Sequence, residues 1–196
     1  SDVINKKNLI ESELFASNYD PHIWFDLNNW SKITLYIAEK LAEIDAKNAA
    51  FYQQNAKKYL EKLLALNKEV EGKINELPIE KRILVTAHDA FNYFGRQHQF
   101  NVVGLQGLST ATEAGVQDVQ KLAKFIIEKN VKAIFVESSV PKRTIEALQE
   151  AVKSKNKEVV IGGTLYSDAL GSKGTEEATY IGMYKANVNT IVNALK

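Results

Sequence analysis

Ile-Leu-Val-Thr-Ala-His-Asp-Ala-Phe-Asn-Tyr-Phe, residues 83–94, is the stretch on which the fold of this 196-residue chain turns. A short apolar run ends in Thr-Ala-His-Asp and passes directly into an aromatic-rich helical pattern, which puts His88 at a strand-to-helix turn. In α/β sheets, the turns beyond the carboxyl ends of strands are where side chains from separate strands converge on a ligand. Three further stretches are built to meet there: Asp20-Pro21-His22-Ile23-Trp24, Phe135-Val136-Glu137-Ser138-Ser139 and Tyr166-Ser167-Asp168-Ala169-Leu170. Together they predict a metal site.

Downstream of Arg82 the pattern alternates short apolar runs with amphipathic segments. It predicts strands at 83–87, 101–105, 133–137 and 158–162 and helices at 90–97, 115–129, 142–154 and 177–195. This is an α/β fold, a four-stranded parallel sheet flanked by helices. Right-handed crossovers bring the strand carboxyl ends to one edge, where His88, Glu137 and Asp168 fall. Upstream, residues 47–77 place Phe51, Ala56, Tyr59, Leu60, Leu63, Leu66, Val70 and Ile74 at three- and four-residue spacing without proline. A single helix of about 45 Å is expected there, a partly solvated strut ended by Pro78. Residues 28–44 predict another amphipathic helix, capped by Asn28 or Asn29. Residues 1–19, with Leu9, Ile10, Leu14 and Phe15, read as a strand end and a loop. The division expected is therefore 1–46, a piece too small to be a complete α/β domain, 47–77 as a linker helix, and 78–196 as a compact domain.

A formal net charge of +1, with Lys and Glu scattered along the chain, gives no footprint for nucleic acid or an anionic membrane. With no cysteine, disulfides, thiolate catalysis and Cys-ligated metals are excluded, so a metal must be held by His, Asp, Glu, backbone oxygen or water. No run approaches the roughly 20 apolar residues of a membrane span. Ser1-Asp2-Val3 reads as the start of a mature or excised product.

The candidate ligands are His22, His88 and Asp168, and each also has a purely structural explanation. His22 could simply pack beside Trp24, Asp89 could cap the helix after His88, and Asp168 could cap a turn. Glu137 ends an apolar strand and is expected to hydrogen-bond loop amides or orient a ligand histidine. His98, in Gln97-His98-Gln99, is expected to be exposed. Two imidazoles and a carboxylate suit zinc or another first-row divalent ion and are the wrong set for calcium. Three protein ligands also fit a catalytic zinc, so a metal-dependent hydrolase is the first alternative. An adhesin or interaction module with a structural metal is the second. No His-Glu-x-x-His helix, phosphate loop, dinucleotide fingerprint or Gly-x-Ser-x-Gly elbow is present.

Five spaced motifs carry a resemblance. Asp20-Pro21-His22-Ile23-Trp24-Phe25-Asp26, Val85-Thr86-Ala87-His88-Asp89-Ala90-Phe91, Gly107-Leu108-Ser109-Thr110-Ala111-Thr112-Glu113-Ala114, Phe135-Val136-Glu137-Ser138-Ser139 and Ile161-Gly162-Gly163-Thr164-Leu165-Tyr166-Ser167-Asp168-Ala169 are similar, in this order, to the zinc/manganese solute-binding proteins of bacterial ABC transporters. The resemblance covers nearly the whole chain. It implies two lobes joined by one long helix, with Zn2+ or Mn2+, or Fe2+, clamped between them as cargo for an ABC permease. It implies His22 from the first lobe and His88 and Asp168 from the second as ligands. Histidine rather than glutamate at position 88 leans toward zinc. A fourth ligand of that family, a histidine upstream of Asp-Pro-His, has no counterpart here. The chain is thus expected to hold the carboxyl-terminal lobe (78–196), the linker helix (47–77) and the tail of the N-terminal lobe (1–46). The resemblance further implies a monomer outside the cytoplasmic membrane, periplasmic or lipid-anchored, with no enzymatic activity; Gly162, Gly163, Gly171 and Gly174, which flank Asp168 and permit backbone rearrangement, point to a gate in that loop.

Overall fold

The computed structural model describes residues 3–12, 19–106 and 115–196. Positions 14 and 15 and the motif at 107–114 lie outside the described residues.

Helix α1 (Leu27–Ile44) starts one residue before the predicted segment. Its cap is Asp26 rather than Asn28 or Asn29: the Asp26 backbone is extended, and its Oδ1 accepts from the backbone N–H groups of Asn28 and Asn29 at 2.9 and 3.1 Å. A carboxylate at that point also suits the positive end of the helix dipole. A 3-10 turn (Ala46–Asn48) leads into α2 (Ala49–Ile74), the long helix, which is 26 residues and so about 39 Å in length. Ala56, Leu63, Leu66, Val70 and Ile74 form its buried stripe, while Phe51 and Leu64 remain exposed. Its second half therefore sits in a core and its first half runs beside α1, partly solvated along its course. Leu77 is buried just after the helix end, and Pro78 opens the next turn.

All four predicted strands are present: β1 (Ile83–Thr86), β2 (Asn101–Gly104), β3 (Ala133–Glu137) and β4 (Val160–Leu165). Their ladders form two parallel pairs, β1 with β2 and β3 with β4, and β1 packs beside β3. β4 starts later and runs further than its apolar pattern suggests, because the register steps over Gly162 at a bulge between Ile134 and Phe135. A Cβ at Gly162 would meet the Ala194 side chain at 2.6 Å and Phe135 at 2.8 Å, so the bulge also seats the last helix closely. Helices α3 (Asn92–His98), α4 (Val116–Glu128), α5 (Arg143–Lys153) and α6 (Tyr180–Leu195) complete the domain.

Strand periodicity sorts the core into two layers. Leu84, Ala133, Phe135 and Leu165 face one side, with α2, α3 and α6 and the aromatic residues Phe25, Phe91, Phe94 and Tyr184. Val85, Ala87, Ile134 and Val136 face the other, against Leu122 and Ile126 of α4 and Ile145 and Leu148 of α5. Helices on both faces leave the strand ends free to carry a site. The amino-terminal stretch is a 3-10 turn (Lys6–Asn8) and one antiparallel bridge, Glu11 to Tyr19, rather than a strand within the sheet. It is tied to the domain by Tyr93, whose hydroxyl accepts from the Ile10 N–H at 3.0 Å and donates to the Asp20 carbonyl at 3.1 Å. Among the described residues, no helix is long and apolar enough to cross a membrane.

Candidate metal centre

His22 opens a short 3-10 turn (Ile23–Phe25), with Pro21 before it and Trp24 after it. Asp20 fixes this imidazole from two positions upstream. Its Oδ1 accepts the His22 backbone N–H at 2.8 Å and lies 2.7 Å from Nδ1. Its other oxygen accepts from Asn92 Nδ2 at 3.2 Å. With Nδ1 committed to a carboxylate, the Nε2 lone pair is left to face the site. Asp20 was not among the residues singled out from the sequence. The aspartate two residues before a histidine was the available signal.

His88 lies just past β1 and is fully buried. Its backbone N–H donates to Glu137 Oε1 at 2.7 Å, and its Nδ1 lies 2.6 Å from Glu137 Oε2, off the line of a well-formed hydrogen bond. The carbonyl of His88 accepts from the Thr86 hydroxyl at 2.8 Å. Glu137, at the end of β3, thus bonds the loop amide of His88 and sets its second carboxylate oxygen beside the His88 imidazole. Asp89 caps no helix, because α3 begins three residues later.

Asp168, beyond β4, supplies the third group. Its Oδ1 is 3.5 Å from His22 Nε2 and its Oδ2 is 3.4 Å from His88 Nε2. One ligand atom from each of the three residues lies within 4.8 Å of the others, and the two imidazole rings meet edge to face at 5.5 Å. The structure therefore brings His22, His88 and Asp168 together, as predicted. The histidines form a buried floor, whereas the Asp168 side chain is 35% exposed and stands at the solvent side.

Carboxylates dominate the electrostatics around the buried His88 imidazole. Burial alone would lower the His88 pKa, but the carboxylates of Asp168 and Glu137 outweigh it and raise it to about 9. The neighbouring His88 imidazole holds Asp168 below the usual carboxylate range despite partial burial. Burial pushes the nearby Asp89 up. His88 Nε2 and Glu137 Oε2 are buried without a hydrogen-bond partner, a costly arrangement that a cation at the Nε2 side would relieve. Two imidazole nitrogens and one carboxylate fit zinc, manganese or iron in the divalent state and leave coordination positions open.

His98 departs from expectation. It is the last residue of α3 and is buried, with Nε2 3.0 Å from the Tyr184 hydroxyl and its ring against Phe94. Its polar neighbours in sequence are occupied elsewhere: Gln97 bridges Leu27 and Asn67, and Gln99 takes the left-handed conformation that ends the helix.

The profile of the family described as ZnuA, zinc-uptake complex component A, periplasmic, matches residues 2–194. The manganese-binding lipoprotein MntA of Bacillus subtilis is 46% identical over 181 residues, which is 92% of this chain and 59% of the relative. The zinc-binding protein TroA of Treponema pallidum is 46% identical over 182 residues, 93% of this chain and 59% of the relative. The chain thus spans about three-fifths of the length of these curated relatives, whose names describe binding proteins rather than enzymes. A solved structure of the periplasmic zinc-binding protein TroA from Treponema pallidum superposes with a TM-score of 0.94 at 44% identity, covering 98% of this chain and 69% of that one. With the family's profile running over nearly its whole length, the chain belongs to the ZnuA family of zinc-uptake components.

Proposed function

We propose that the protein captures a divalent transition metal as part of an extracytoplasmic receptor and delivers it to an ABC permease, making and breaking no covalent bond. The observation that carries this is the convergence of His22, His88 and Asp168, with each histidine backed by its own carboxylate, Asp20 and Glu137. In this reading zinc or manganese, or iron, is cargo. The relatives' names support both of the first two. Residues 78–196 act as one metal-binding lobe, 47–77 as the connecting helix and 1–46 as part of a second lobe. The receptor is a monomer, periplasmic or lipid-anchored.

The asymmetry of the site supports capture and release. The two histidines are fixed from behind and barely reach solvent, so they form a preorganised half-shell. Asp168 enters from an exposed loop, and a carboxylate that can leave the shell is the simplest exit for a bound ion. Three protein donors leave room for a fourth, from water or from another part of the receptor.

Calorimetric titration of zinc, and then manganese, into the protein and its His88→Ala and Asp168→Ala variants tests this. One-site binding that each substitution weakens tenfold or more, about 1.4 kcal/mol, is the expected result. Zinc binding that ignores both substitutions would sink the assignment. Silence in the unaltered chain calls for the same titration in a protein of the relatives' full length, and continued silence there would sink the receptor reading.

A further inference from the structure

The reach of Asp168 over the two histidines is set by contacts that the ligand set does not include. Asp168 sits on the loop after β4, and two side chains from distant parts of the chain hold that loop. The first is Trp24, whose indole Nε1–H donates to the Ser167 carbonyl at 3.0 Å. The same indole packs edge-on to the His22 ring, with centroids 5.3 Å apart. Trp24 is itself held by Tyr180, whose hydroxyl donates to the Trp24 carbonyl at 2.5 Å. One side chain thus ties the turn that carries His22 to the loop that carries Asp168. The second is Ser139, just beyond β3 and two positions after Glu137. Its hydroxyl is 2.7 Å from the buried Ser167 hydroxyl, beside Asp168 on the same loop, and near enough to the Asp168 carboxylate to help lower its pKa. Behind the loop lies a cavity of about 280 Å3, lined by Trp24, Trp30, Leu170, Tyr180 and Met183 among others, which gives the indole and the loop space to move.

Resting on the reading of His22, His88 and Asp168 as ligands, we propose that Trp24 and Ser139 are positioning residues that latch the Asp168 loop over the histidines and thereby set the rate of metal release. Neither reaches the ion. Trp24 restrains the loop backbone, and Ser139 aims the carboxylate by donating to it while engaging Ser167. Breaking either contact leaves the buried histidine pair intact and frees Asp168 to swing out, so the loss falls on dissociation rather than capture. Outer partners that orient a ligand are typically worth ten- to a hundredfold in metal affinity.

The test is the rate at which zinc passes from the loaded protein to excess chelator, in the unaltered protein and in Ser139→Ala, Ser139→Thr, Trp24→Phe and His88→Ala. Phenylalanine keeps an aromatic ring beside His22 and removes the N–H donor, and threonine keeps the hydroxyl. The expected result is dissociation about tenfold faster in Ser139→Ala and Trp24→Phe, with Ser139→Thr within twofold of the unaltered protein and the metal-free melting temperature of Ser139→Ala unchanged. That last readout separates positioning from general destabilisation. Release within twofold of normal in Ser139→Ala, or equally fast release from Ser139→Thr and Ser139→Ala, overturns the latch while leaving the ligand assignment standing. Zinc binding that His88→Ala does not weaken overturns the ligand assignment, and the latch with it. Should Trp24→Phe fail to fold, the exposed Ser139 pair decides alone.

Discussion

His88 and His98 stand at opposite ends of the same short stretch of chain, both buried, and burial pulls the pKa of both downward. What faces each ring separates them. Around His88 two carboxylates, Asp168 and Glu137, overcome the desolvation and lift the pKa to about 9. Around His98 the Asp26 carboxylate compensates too little. Burial and the Arg82 guanidinium take it down to about 4. Tyr184 donates its hydroxyl proton to the Phe25 carbonyl, so it accepts from His98 Nε2–H, which holds the neutral tautomer. A buried histidine among carboxylates is a receptor for a proton or a metal. One among aromatic rings and an arginine is a piece of core.

The sharpest way to break this contrast is metal affinity. His88→Ala removes one of the three proposed protein donors and leaves Glu137 buried with its charge unopposed, and a loss on the order of a thousandfold in zinc affinity, about 4 kcal/mol, is expected by calorimetry. His98→Phe should leave zinc affinity within about threefold, since its ring points into the aromatic layer rather than the site. Equal losses in the two variants would show that the two positions are energetically one, and the distinction drawn from their surroundings would fall.

Stability against pH is the next largest effect, and it has opposite signs at the two histidines. The folded-state pKa of His98 lies below its unfolded value, so the unfolded chain binds more protons between about pH 6.5 and pH 4. Its contribution is present above pH 6.5 and is lost on acidification, by about 3 kcal/mol in all. Chemical denaturation of the metal-free protein at pH 7 and pH 4.5 should show this loss, with His98→Phe showing a smaller one. The folded pKa of His88 lies above its unfolded value, so its contribution is full below about pH 6.5 and disappears as pH rises through about 9. A metal-free protein that gains stability between pH 7 and pH 9 from His88 would contradict the carboxylate environment described.

The contrast also marks what could be read in advance. Helical spacing in α1, α2 and α4 to α6 and the apolar runs of the strands announced the architecture, because a face that must be buried writes its period into the sequence. The convergence of His22, His88 and Asp168 followed from strand polarity and from resemblance to known receptors. His98 was misjudged for a physical reason. Its flanking glutamines look like solvent residues, while the groups that bury it, Phe94 and Tyr184, come from one turn earlier and from α6. Asp26 was overlooked as the cap because the asparagines after it are equally good cap residues, and only the backbone angles decide among them. The bulge at Gly162 left no apolar signature, so the far end of β4 was placed short.

Proton competition at the proposed metal site sharpens the comparison further. If metal-free His88 holds a proton up to about pH 9, zinc must displace it at any pH below that. Metal affinity should rise about tenfold per pH unit from pH 6 to pH 8, some 1.4 kcal/mol per unit, and the calorimetric heat should vary with buffer ionisation enthalpy by one released proton. His98→Phe should keep this slope. An affinity flat across that range would mean that His88 is already neutral before metal arrives.

The smallest predicted effect probes why His88 differs at all. Glu137→Gln keeps the shape of the side chain and an oxygen to accept the His88 backbone N–H, but removes the negative charge 2.6 Å from Nδ1. The imidazole becomes a weaker base and a weaker ligand, and zinc affinity at pH 8 should fall about tenfold, the low end for loss of a carboxylate behind a metal-bound histidine. The same change weakens proton binding, so part of the loss in metal affinity is returned as pH falls, and the difference between Glu137→Gln and the unaltered protein should narrow toward pH 6. A structural role for Glu137, merely holding the β1 and β3 ends together, would lower affinity equally at both pH values. The narrowing, rather than the loss itself, is what identifies the carboxylate as the group that sets His88 apart from His98.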